Sequence, residues 1–65
     1  MKVKYDPEAD AVFLRLADGD VVDSEESQPG IIVDFDKDGK IVAIEFLNAK
    51  ERFSPDTIQQ FSAAA

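Results

Sequence analysis

The sequence predicts a mainly β domain of the small α+β kind: an antiparallel sheet of four to five strands built from hairpins, with a short C-terminal helix. Three observations predict it. Apolar residues alternate with polar ones at a period of two, as in Lys2-Val3-Lys4-Tyr5, which is the signature of a half-buried strand. β-Branched residues crowd GIIVDFD and KIVAIEFLNA, and these fit a pleated surface better than a helix. Turn formers punctuate the runs at Asp6-Pro7, Asp18-Gly19, Pro29-Gly30 and Asp38-Gly39, each with a backbone reason to bend the chain.

Taken in order, Val3 and Tyr5 share one side of a first strand, and Asp6-Pro7-Glu8-Ala9-Asp10 breaks it. AVFLRLA (11–17) resumes as a strand with Val12, Leu14 and Leu16 on one side and Phe13 and Arg15 on the other. Asp18-Gly19 reads as a hairpin turn, since Gly19 accepts positive φ. DVVDSEES loses apolar content after Val22, as an edge strand does when charge discourages pairing with other chains. Pro29-Gly30 bends the chain. The strongest hairpin signal follows, two apolar runs around Asp36-Lys37-Asp38-Gly39. Val33 and Phe35 share a side of its first arm. On the second arm Val42, Ile44 and Phe46 oppose Ile41, Ala43, Glu45 and Leu47. Near the end, Ser54 suits a helix cap, Pro55 its first position and Asp56 its positive end. Phe53 is placed to staple onto Ile58. The helix is expected at about 55–62 and a frayed tail at 63–65, within one domain of 65 residues.

A chain this short buries only about 60% of its unfolded surface and is marginal without a staple. With no cysteine and no histidine, disulfides, thiolate metal sites and the commonest general base are excluded. Association with another chain is the remaining staple. Fourteen acidic residues against seven basic give a net charge of −7, a field that repels nucleic acid and anionic membranes and favours basic partners or cations. The opening MKVKYDPEAD lacks an apolar signal core, and no apolar run approaches the roughly 18 residues of a membrane span. The expectation is a cytoplasmic protein.

The stretch from Asp34 to Glu45, DFDKDGKIVAIE, spells a calcium loop at every scored position. Its flanks argue against that reading. Pro29-Gly30 opposes a leading helix, and an extended chain carries Glu45 roughly 20 Å beyond Gly39. The residual alternative is a cation-binding turn made of Asp34, Asp36 and Asp38, lacking a fourth acid among Lys40, Ile41 and Val42. Catalysis is not expected. Sixty-five residues leave little room for a substrate cleft, and the serines have no histidine partner. No cofactor is implied. The apolar pattern says more: Phe13, Ile32, Ile41 and Leu47 fall opposite the main apolar set. One short helix covers one face, so either the alternation slips at a bend or these four form a candidate interface with a second chain, as in a homodimer, a larger homo-oligomer or a groove for a partner.

The ordered runs Lys4-Tyr5-Asp6-Pro7-Glu8-Ala9-Asp10-Ala11, Leu14-Arg15-Leu16, Pro29-Gly30-Ile31-Ile32-Val33-Asp34-Phe35-Asp36 with Asp38-Gly39, and Ile44-Glu45-Phe46-Leu47 resemble a family of short bacterial and archaeal proteins. It is known as domain of unknown function 2283. The resemblance runs from about Met1 to Arg52. Ala43 stands where members often have glycine, and Phe13 and Phe35 where tyrosine is common. The family name implies no activity, and no catalytic or binding residue carries over. Some relatives are encoded beside small toxin-like proteins, which suggests an antitoxin-like role for those members; by analogy the resemblance implies a basic protein partner here. The expectation is a self-associating, non-catalytic protein-interaction module.

Overall fold

The four apolar runs and the acidic run after Val22 become five strands of one sheet. The structure, a computed structural model, describes residues 1–64, with side chains through Phe61. The strands are β1 (Lys2–Asp6), β2 (Ala11–Arg15), β3 (Asp23–Gln28), β4 (Ile31–Phe35) and β5 (Ile41–Phe46); helices α1 (Ala49–Arg52) and α2 (Pro55–Ala64) follow. The sheet order is β1-β2-β5-β4-β3, and every neighbouring pair is antiparallel. Three hairpin-linked strands, β3 to β5, thus meet β2 in a Greek-key arrangement.

Each tight turn has its chemistry in view. Between β1 and β2, Asp6 Oδ1 accepts the N–H groups of Glu8 and Ala9 at 3.0 and 3.4 Å, beside the fixed φ of Pro7. Pro29 and Gly30 occupy the turn between the paired residues Gln28 and Ile31. Gly30 has φ 81°, and an added Cβ there would collide with the Arg52 guanidinium. Between β4 and β5, Asp36 Oδ1 accepts from Asp38 N and Lys40 N, both at 2.9 Å.

The Asp18-Gly19 hairpin is corrected. β2 pairs with β1 and β5, not with β3, so residues 16–22 cross the end of the sheet to its far edge. Backbone bonds secure the crossing: Leu16 N and Ala17 N donate to Val42 O at 2.8 and 3.2 Å, and Val22 N to Phe35 O at 2.9 Å. Arg15 adds a bond from Nε to Ala17 O at 2.9 Å and another to Gly19 O. β3, exposed throughout its DSEESQ run, is an edge strand.

After β5 the chain enters α1, which the sequence reading did not anticipate. Its start is held from 40 residues away. Asp10, in the left-handed region at φ 51°, accepts Ala49 N at its carbonyl (2.9 Å) and Lys50 N at its carboxylate (3.2 and 3.4 Å). Tyr5 OH donates to the same carboxylate at 2.8 Å. The capping of α2 follows the sequence expectation: Thr57 N donates to Ser54 Oγ at 3.2 Å, and Ile58 N donates to Ser54 O at 3.0 Å. The helix continues through Ala63 and Ala64, two residues past its expected end; Ala65, in the expected frayed tail, lies outside the described residues.

Cross-strand partners point to the same side of a sheet. One face therefore carries the rows Tyr5–Val12–Phe46–Ile31 and Val3–Leu14–Ile44–Val33. Helix α2 packs against β1 on this inner face. Phe53 links the two layers, with edge-to-face contacts to Phe46 (5.4 Å between centroids) and Phe61 (5.3 Å). Phe53 and Ile58 also line one apolar cleft with Tyr5. Among the described residues the buried apolar set is small: Ala11, Val12, Val42, Ala43 and Ala49.

Candidate functional site

The same pairing arithmetic defines the opposite face as two rows that each cross all five strands. The first is Lys4–Phe13–Glu45–Ile32–Glu26, and the second is Lys2–Arg15–Ala43–Asp34–Ser24. Basic residues gather on the β1 and β2 side, acidic ones on the β5, β4 and β3 side. Phe13 and Ile32, both placed in the candidate interface from sequence, flank Glu45 in the first row. Phe13 stands 39% exposed.

Ile41 does not join them there. A bulge between β4 and β5 inserts Val42, so that Asp34 pairs with Ala43 but Phe35 pairs with Ile41. The extra residue breaks the alternation, and Ile41 shares the side of Phe35 instead. Simple alternation along KIVAIEFLNA placed it with Ala43 and Glu45; that placement is corrected. Leu47 lies past the end of β5, its N–H donating to Gly30 O at 2.8 Å.

At the centre of this open face lies a pair of carboxyls. Asp34 is 5% exposed and accepts the Ser24 hydroxyl at 2.6 Å. Glu45 lies diagonally across from it, one row on. Burial is the main cause that raises the Glu45 carboxyl above the ordinary glutamate range; its hydrogen bond to Asp34 and the Asp34 charge add to the rise. In the protonated form of Glu45 its carboxyl is the donor and Asp34 the acceptor. A carboxyl whose folded pKa lies above its unfolded one contributes stability that is present below the unfolded value and lost as pH rises through the folded value. Glu45→Gln mimics the protonated acid, and a like-charge pair this close costs about 0.5 kcal/mol. The expected result is a thermal midpoint roughly 3 °C higher near pH 7, with the gain gone below the ordinary glutamate range. A uniform loss at every pH would show that ionised Glu45 is a favourable partner instead.

The three aspartates of the calcium-like turn do not converge. Asp34 faces the open side with Ser24, whereas Asp36 spends its carboxylate on the two turn N–H groups. Asp36 and Asp38 border an open cleft with Asp20 and Lys37. Among the described residues no three acidic side chains are gathered as a metal site requires. The extended arms do carry Glu45 away from the turn. Even so, the hairpin brings it back beside Asp34, so the expectation that it parts from all three aspartates is corrected at that residue. The Ser24 hydroxyl donates to Asp34, and a carboxylate is a weak base for activating a hydroxyl. No helix among the described residues is long and apolar enough to cross a membrane.

Comparison with known proteins adds the family and nothing about activity. Nothing among curated proteins or solved structures matches the chain. A family model described as "Protein of unknown function (DUF2283)" matches residues 2–50, which contain all five strands and the Tyr5–Asp10–Lys50 tie. The chain belongs to that family.

Proposed function

We propose that the chain is a non-catalytic, self-associating protein-interaction module whose simplest working form is a homodimer. One observation carries the reading: several large apolar side chains stand exposed. Phe13, Leu16, Val21, Val22 and Ile41 are between 39% and 61% exposed, while the buried apolar positions among the described residues are three alanines and two valines. A core this small leaves a 65-residue domain near the limit of independent stability, and a second copy is the simplest cover for exposed apolar side chains such as Phe13. The acidic edge strand β3 suits a basic polypeptide as a further partner, as an antitoxin-like role would require.

Association that accompanies folding makes stability depend on concentration. The thermal midpoint is expected to rise steadily as the protein is taken from about 5 to about 500 µM, by several degrees over that range. An unchanged midpoint across it contradicts self-association.

A further inference from the structure

On the open face, charge and shape are opposed about the central strand. Rotating a second copy by 180° about an axis parallel to β5 lays the two open faces together and reverses the strand order. β1 then faces β3 of the second copy, β2 faces its β4, and β5 faces its β5. From this we infer that the chain pairs with a second copy of itself, open face to open face, about a two-fold axis running along β5. The inference rests on the self-association reading and adds the surface and the register.

The rotation turns each cross-strand row onto its own counterpart, and the matches follow from the pairing already described. Lys4 meets Glu26 and Phe13 meets Ile32, each twice by symmetry, while Arg15 lies over the position of Asp34, whose side chain is buried within its own chain. Ala43, the small residue in the middle of its row, meets Ala43 and lets the sheets approach. Rotation about an axis perpendicular to the strands would instead set Lys4 against Lys4 and Glu26 against Glu26. Packed sheets cross at about 30°, which blurs the outer matches but keeps basic opposite acidic. Arg15 has N–H donors left beyond those given to Ala17 O and Gly19 O. Glu26 has Oε1 left, its Oε2 being held by Gly30 N at 2.9 Å.

Glu45 is the exception that gives the pairing a signature. It lies nearest the axis and meets its own counterpart. The charged groups facing it are Asp34 on β4, Arg15 on β2, Lys4 and Lys2 on β1, and Glu26 on β3. Two ionised Glu45 side chains repel across the axis, so pairing strengthens as they take up protons. A five-stranded face of five- to six-residue strands measures about 24 by 18 Å. Two such faces bury on the order of 900 Å² in total, the size of a weak interface.

Sedimentation velocity on the full chain tests this, with far-UV circular dichroism confirming the fold of each variant. Lys4→Glu is expected to weaken the dimer about tenfold and Glu26→Lys similarly, while the two changes together restore it. Phe13→Ser weakens it further, and Glu45→Gln strengthens it near pH 7 while flattening its pH dependence. Ile41→Lys, on the side of Phe35 and away from this face, leaves it unchanged. A dimer that Ile41→Lys abolishes and Lys4→Glu and Phe13→Ser leave intact overturns this arrangement but not self-association. A monomer under all conditions overturns both.

Discussion

Phe53→Ala is expected to remove about 3 kcal/mol of stability and to free α2 from the sheet. The ring stands between two layers, touching Phe46 of β5 at 82° between planes and Phe61 of α2 at 83°. Each such pair contributes about 0.5–1.5 kcal/mol beyond area burial, and truncation also leaves the end of the inner face uncovered. Helix α2 has ten residues and is too short to persist alone in water. A domain of this length holds roughly 3–10 kcal/mol in total, so the variant sits close to unfolding, with its midpoint lowered by roughly 15 °C. Phe53→Leu keeps the apolar volume and is expected to lose much less. Urea unfolding followed by circular dichroism gives both values; a loss below about 1 kcal/mol for alanine would mean that Phe53 does not hold the layers together.

Asp10→Ala is the second large effect, expected at about 2 kcal/mol. Alanine at φ 51° carries roughly 1 kcal/mol of left-handed strain. Losing the carboxylate that Lys50 N donates to costs about as much as losing a helix cap. Asp10→Asn tolerates the same backbone and keeps an acceptor, so it is expected to recover most of the loss. The single tyrosine reports the contact independently. The hydrogen bond to Asp10 is the chief cause that raises the Tyr5 phenol above its ordinary value; burial and the charges of Asp10 and Asp6 act the same way. The sign follows: this contribution is present below the ordinary tyrosine value and lost as pH rises through the raised one. In Asp10→Ala the ultraviolet titration of Tyr5 is expected to move down toward the ordinary value. An unmoved titration would mean that the phenol does not rely on Asp10.

What the sequence made legible was local. The Asp36–Gly39 turn, the Ser54-Pro55 helix start and the acidic edge strand each rest on a few neighbouring residues whose backbone chemistry has few alternatives. What it hid depends on distance or on one misplaced residue. The Asp10 tie to Lys50 spans 40 residues, and no short pattern announces α1. Val42 shifts the pairing by one and moves Ile41 off the face where alternation put it. Asp18-Gly19 has turn chemistry, but loop composition does not say whether a chain doubles back or crosses over. The Asp34–Glu45 pair was hidden for a related reason. Counting along the strand separates the two carboxyls, and only the hairpin register shows that they meet.

The most direct test is the mass of the protein in solution by light scattering at several hundred micromolar, where an interface of about 900 Å² is populated. The expected mass is twice that of the 7.2 kDa chain, falling toward one chain on dilution or with Lys4→Glu. A mass of one chain at every concentration would contradict it.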